Sequence, residues 1–242
     1  MKRIVLLVMI MTSVVFTKAQ EVNKPKITAQ DLANRAGDHF MFQITRDSWT
    51  NMPDSINSHQ KGFSKGFNVY IMTDKPFRTS PQFSVALGIG YGTSNIKFEK
   101  MQVDVKSAST TLPFRALDST DHFKKYKVSL GYLEVPVELR FSSKPLNSSK
   151  SFKIALGGKV GTLLNAHTKG KDLQNKNNST INAFSQKENS KRFFNTTRLS
   201  TTARIGYGIF SIYGSYQITS VLKDAAGPDM KLVQIGLSIG GL

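Results

Sequence analysis

Past residue 37 the apolar positions recur every second residue, not every third or fourth. Phe83, Val85, Leu87, Ile89 and Tyr91 alternate with Ser84, Ala86, Gly88, Gly90 and Gly92. Side chains of a strand point alternately to its two faces, so one face here is large and apolar and the other nearly bare. Seven further segments read the same way. Phe40, Phe42 and Ile44 mark the first, and Phe67, Val69 and Ile71 the second. Leu133, Val135, Val137, Leu139 and Phe141 mark the fourth, alternating with Glu134, Pro136, Glu138 and Arg140. Phe152, Ile154, Leu156 and Val160 mark the fifth, against Lys153, Ala155, Gly157 and Lys159. Leu199, Ala203, Ile205 and Tyr207 mark the sixth, against Arg198, Ser200, Thr202 and Arg204. Phe210, Ile212, Tyr216 and Ile218 mark the seventh, and Val233, Ile235, Leu237 and Ile239 the eighth.

The count is even, and several segments reach the roughly ten residues that a tilted strand needs to cross a bilayer. The connections fall at 48–63, 75–81, 94–126, 143–151, 166–195, a tight turn at Tyr207-Gly208, and 221–230. With a periplasmic N-terminus, the short ones all fall on the periplasmic side and the longer ones outside, as in bacterial outer-membrane barrels. A soluble barrel shows the same alternation with its apolar face inward. It would not expose a face of Ser, Ala and Gly to water, whereas a narrow membrane barrel turns that face inward, where it leaves room for long side chains. The pattern therefore predicts an all-β fold: an eight-stranded antiparallel, up-and-down transmembrane β-barrel.

The first residues extend this picture. Lys2-Arg3, the apolar run Ile4 to Phe16 and the small-residue exit Thr17-Lys18-Ala19 form the three parts of a secretory signal peptide. The run is about 13 residues, short of the ~20 of a transmembrane helix. The expected organisation is a signal peptide at 1–19, a periplasmic lead-in at 20–36 and the barrel at 37–242. The 33 Lys and Arg against 16 Asp and Glu give a net charge of +17. They are spread thinly, without the clustered footprint of a nucleic-acid binder. Residues 166–195 are the more basic of the long connections, with six basic and two acidic residues. They are read as a solvated loop, with the phosphates of lipopolysaccharide as the alternative contact. No cysteine is present, which excludes disulfides and thiolate chemistry.

The segment Tyr132-Leu133-Glu134-Val135-Pro136-Val137-Glu138-Leu139 resembles a strand of the PorT-like outer-membrane β-barrel proteins. Gly66-Phe67-Asn68-Val69-Tyr70 and the Ser84-to-Gly92 strand resemble its neighbours in that family, so the likeness runs from about residue 37 to the end. It implies an eight-stranded barrel in the outer membrane without enzymatic activity. Some members serve protein secretion and gliding.

The candidate site is the set of charges on the small-residue faces: Glu134, Glu138, Arg140, Lys153, Lys159, Arg198 and Arg204. An eight-stranded interior is narrow enough to be filled by side chains. Charges inside must pair, since an unpaired one costs several kcal/mol. A structural salt-bridge network is expected, with Glu134 roughly opposite Lys159 and Arg198 and Arg204 approaching from the next strand. Pro136 cannot donate to a ladder and is expected at a bulge. His39, His59, His122 and His167 lack the spacing of a metal pair, and no nucleophile elbow or phosphate loop accompanies them. No metal and no cofactor is expected. Trp49, Phe40, Tyr91, Phe141 and Tyr207 fall near strand ends, as an interfacial aromatic girdle would.

The expected function is a non-enzymatic barrel with a filled lumen, a scaffold or accessory of envelope assembly or secretion. The expected partners are outer-membrane lipid, lipopolysaccharide and other envelope proteins, and not nucleic acid. The alternatives are a rim enzyme acting on lipid or peptide through His59 and His122, and a narrow solute pore.

Overall fold

The structure, a computed structural model, describes residues 40–240. The expected signal peptide, lead-in and His39 lie outside the described residues. In chain order the elements are β1 (Phe40–Thr50), a one-turn helix α1 (Asp54–Asn57), β2 (Lys65–Pro76), β3 (Phe83–Phe98), β4 (Met101–Val103), β5 (Phe114–Ala116), β6 (His122–Ser142), β7 (Phe152–Gln174), β8 (Thr180–Asn189), β9 (Thr197–Tyr207), β10 (Phe210–Gln217) and β11 (Lys231–Gly240).

Eight of these strands close a ring in the order β1-β2-β3-β6-β7-β9-β10-β11, every neighbour antiparallel. The seam between β1 and β11 runs from Met41 opposite Gly240 to Thr50 opposite Lys231. Within the ring, closure leaves no strand edge, so the ladder satisfies backbone N–H and C=O groups where no water could. Among the described residues no helix is long and apolar enough to cross a membrane, and the strands do so instead. The connections at 77–82, 143–151 and 208–209 lie at one end, and those at 51–64, 99–121, 175–196 and 218–230 at the other.

Burial alternates along β1 and most of the other barrel strands. Ile71, Leu87, Val137, Leu156, Ile212, Ile235 and Leu237 are exposed on the outside of the ring, while Gln43, Asn68, Ser84, Glu134, Lys159, Ser200 and Gln234 are buried within it. Phe40, Phe83, Phe152, Tyr207 and Phe210 ring the end with the short turns, and Phe67, Tyr91 and Tyr216 the other rim.

Four expectations are corrected. The connections expected at 94–126 and 166–195 are largely strand. β3, β6 and β7 continue above the apolar band, β8 pairs with the upper half of β7, and β4 and β5 form a separate hairpin. Trp49 is no girdle residue: it points inward, 2% exposed, with its ring 5.8 Å from that of Phe98. Pro136 sits at no bulge. The β3–β6 register is continuous, Leu87 opposite Val137 and Gly90 opposite Glu134, and only the rungs between them are unpaired. Gly88 faces the proline there, and a Cβ on it would lie 3.3 Å from the Pro136 ring. A missing N–H is thus matched by a missing side chain. The irregularity of this region lies instead between Gly131 and Tyr132, against β7.

Candidate functional site

The lumen holds two layers of paired charge, both anchored on β6. Glu134 and Glu138 are four residues apart on one face of the strand, so each carboxylate enters the lumen at its own level. Glu134 is fully buried. Its Oε1 accepts from Arg198 Nε at 2.9 Å and from Nη2 of the same guanidinium. Its Oε2 accepts from the Tyr70 hydroxyl at 2.5 Å and from Lys159 Nζ at 3.2 Å. Lys159 pairs in register with Pro136 rather than with Glu134, so its ammonium reaches the carboxylate diagonally and also donates to Gln234 Oε1 at 3.3 Å. Arg198 stacks over the Tyr132 ring at 4.1 Å, a cation–π contact that covers the face left by its hydrogen bonds.

Space for this layer comes from glycine. A Cβ on Gly92 would collide with Glu134 Oε2, and one on Gly161 would lie 2.9 Å from Glu134 Cγ. The bare face of β3 and the gap in β7 therefore hold the volume of the Glu134–Arg198 pair.

The second layer is built on Glu138. Arg204 donates from Nε to Oε1 at 3.2 Å and from Nη2 to Oε2 at 2.5 Å. Arg140 donates from Nε to Oε2 at 3.0 Å, with its Nη1 3.8 Å from Asp74. A further acid, Asp47, accepts from Gln234 at 3.1 Å on both oxygens and from Thr45 at 2.5 Å. Lys153, nearer the short turns, donates to Ser148 Oγ at 2.5 Å. The structure therefore gathers Glu134, Lys159 and Arg198 into one group and Glu138, Arg140 and Arg204 into another. Sequence reasoning did not find Tyr70, Gln234, Asp47 or Asp74, because a lone polar residue on an alternating strand carries no signal of its own partner. In the described lumen Asp47, Asp74, Glu134 and Glu138 stand against Arg140, Lys153, Lys159, Arg198 and Arg204, close to neutrality.

Above the charged layers the interior changes character. Trp49, Ile96, Phe98, Tyr126, Val128 and Leu130 from the strands meet Val103, Val105, Leu112, Phe193, Phe194, Val221, Leu222 and Met230 from the connections in one apolar cluster. The Tyr126 hydroxyl donates to the carbonyl of Val103 at 2.9 Å and accepts from its N–H at 3.0 Å, fixing β4 over the barrel. The connections form a folded cap across the barrel mouth.

Of the histidines, His122 is buried between Thr120 O (3.2 Å) and Asn178 Oδ1 (3.1 Å), and His167 lies on the outer face of β7. His59 stands between Ser58 Oγ (3.1 Å) and Asp118 Oδ2 (3.2 Å), the partners of a catalytic triad. However, the nitrogen facing Ser58 is also 2.8 Å from the Ser55 carbonyl. A carbonyl can only accept, so in the tautomer that satisfies this contact Nδ1 is a donor and not a base toward Ser58. Among the described residues no group of acids and histidines could hold a metal ion.

No curated protein matches the chain. Solved structures similar to it include Ail, the attachment invasion locus protein of Yersinia pestis, in complex with the heparin analogue sucrose octasulfate. It is 13% identical over 84% of this chain and 96% of that one, with a TM-score of 0.34. The backbone structure of Ail in a phospholipid bilayer nanodisc is 16% identical over 84% and 99%, with a TM-score of 0.32. The model of the outer membrane protein beta-barrel domain family matches residues 28–222. With the closed ring and its outward apolar band, this shows the chain to be a member of that family, resident in the bacterial outer membrane.

Proposed function

We propose that the protein is a non-conducting, non-enzymatic platform, a barrel whose purpose is to hold its folded cap at the cell surface as an accessory of an envelope assembly. The observation that carries this reading is the double closure of the lumen. Two carboxylate–guanidinium layers fill it at mid-height, and an apolar cluster covers the mouth. A solute would have to break hydrogen-bonded ion pairs, each of which costs several kcal/mol when one partner is left alone. The Ser55 carbonyl 2.8 Å from His59 Nδ1, on the side that faces Ser58, weighs against a rim hydrolase.

The narrower kinship, with PorT-like barrels that serve secretion, rests on the strand Tyr132 to Leu139. That strand supplies the two lumen glutamates on which both charged layers are built, so its pattern belongs to the plug itself. The test is reconstitution into planar bilayers. The intact protein is expected to give no stable conductance step, and Glu134→Ala with Glu138→Ala is expected to open one. Steps from the intact protein would refute the closed lumen. For the accessory role, deletion of the chain is expected to lower the surface level of one defined set of exported proteins. Unchanged export would remove that role while leaving the plug intact.

A further inference from the structure

The outer surface of the cap carries charge that neither the lumen nor the cap core uses. Above the apolar band, strand register sets Lys97 of β3 opposite Lys127 of β6, Lys127 opposite Lys169 of β7, and Lys169 opposite Lys187 of β8. Lys125 and Lys171 form a second rung above the first. Directly opposed residues of antiparallel strands hold their Cβ atoms about 4.5–5.5 Å apart, and like charges in such positions destabilise a sheet. Among the described residues, no carboxylate forms an ion pair with any of the six. Burial first, and then the neighbouring ammonium groups of Lys169, Lys97 and Lys187, hold Lys127 below the ordinary lysine range. Lys127 Nζ donates to Asn95 Oδ1 at 2.7 Å, a neutral partner that leaves the charge of the row uncompensated, and an anion that bridges the row accounts for it.

Two further observations indicate which anion. Five of the six lysines, all but Lys187, border a groove of about 440 Å³ that Glu99 and the half-buried Phe123 ring also line, with the buried Tyr126 ring stacked 6.1 Å behind Phe123. The Phe123 ring beside ammonium groups suits a phosphorylated sugar, with an apolar sugar face on the ring and phosphate on the lysines. The height fits too. From Tyr91, on the upper rim, to Lys97 is six residues of β3. At about 3.3 Å per residue and a tilt of about 45°, this places the rung roughly 14 Å above the rim. That is the layer where the core sugars of the outer leaflet lie, and the face is continuous with the lipid-facing side of β3 and β6.

We propose that the lysine rungs on β3, β6, β7 and β8 bind the phosphorylated core sugars of the outer-leaflet glycolipid. The proposal requires only the barrel's orientation, and stands whether or not the lumen conducts. The test titrates the folded, detergent-solubilised protein with lipopolysaccharide carrying a phosphorylated core, and with the same glycolipid after chemical dephosphorylation. The intact protein is expected to bind the phosphorylated form at least tenfold more tightly, with a steep loss on raising salt. The quadruple variant Lys97→Gln, Lys127→Gln, Lys169→Gln and Lys187→Gln is expected to lose that preference. Because the substitutions remove repulsion, its heat-induced gel-mobility shift should stay at or above that of the intact protein, which separates lost binding from lost fold. Equal binding by the variant, or of the dephosphorylated glycolipid, would overturn the proposal. So would tighter binding of a soluble polyanion such as heparin, which would assign the surface to a partner outside the membrane.

Discussion

The two halves of this molecule obey opposite rules of burial. In the membrane half, Leu87, Val137, Leu156 and Leu237 lie outside, and Glu134, Glu138, Arg198 and Arg204 are buried within. In the cap, Phe98, Val103, Phe194 and Leu222 are buried, and the lysines of four strands lie outside. The same continuous strands serve both. Along β3 the odd positions are apolar up to Tyr91, and the even ones become apolar at Ile96 and Phe98. On β6, Tyr126, Val128 and Leu130 point inward above the irregularity at Gly131, and Leu133, Val137 and Leu139 point outward below it. The solvent outside changes from water to lipid, and the apolar face changes sides with it. The lower half is held by directional polar contacts, since apolar burial drives little between lipid and protein, whereas the cap is held as any water-soluble core is.

The largest effect expected from breaking this contrast is in the lumen. Glu134→Ala leaves Arg198, Lys159 and the Tyr70 hydroxyl without their shared acceptor, and should cost about 3–5 kcal/mol. Urea unfolding from lipid measures it. The triple variant Glu134→Met, Lys159→Met and Arg198→Met removes the layer as a whole, and should lose much less, since apolar side chains can replace a buried ion group. Equal losses would mean that volume, not pairing, holds the lower half. In the cap, Phe194→Ala should cost about 3 kcal/mol. Its signature is local: proteolysis within 99–121 and 175–196 should accelerate while the barrel keeps its heat-induced mobility shift. If the barrel melts with the cap, the two halves are one cooperative unit.

Next in size is a charge on the lipid face. Leu237→Arg should cost about 2–3 kcal/mol near mid-membrane. The same arginine at Thr110, on the exposed cap, should change stability by less than about 0.5 kcal/mol. A large effect at Thr110 would show that the cap, too, faces lipid.

These contrasts also explain what could be read from the sequence. The eight strands of the ring, their closure and the outward facing of their apolar rows were legible because the apolar alternation from Phe83 to Tyr91, and in its seven counterparts, needs no knowledge of neighbours. So were the charges on the small-residue face, since Glu134, Glu138, Lys159 and Arg198 occupy positions whose facing direction is set by parity. The upper halves of β3, β6 and β7 were missed because their alternation continues in the opposite phase, which reads as an end to the pattern. The cap core was missed for another reason. Val103, Leu112, Phe193, Phe194 and Leu222 come from separate connections, and no periodicity links residues that meet only after the barrel closes. Trp49 failed at the border between the two regimes: a strand-end aromatic suits a girdle, but β1 has by then left the lipid and its inward face is the cap's.

The smallest expected effect tests the outer surface of the cap. Lys169 lies between Lys127 and Lys187 on directly opposed positions, so Lys169→Glu turns two repulsive contacts into two attractive ones. Cross-strand pairs of opposite charge contribute roughly 0.2–1 kcal/mol. The variant should therefore unfold at slightly higher urea than the intact protein at low salt, with the gain fading as salt screens it. A stabilised variant that no longer binds phosphorylated glycolipid would show that the lysine row costs the fold something and is there for its ligand. If Lys169→Glu is destabilising, an unseen favourable contact of Lys169 outweighs the repulsion, and the cap's outer face is as tightly specified as the lumen beneath it.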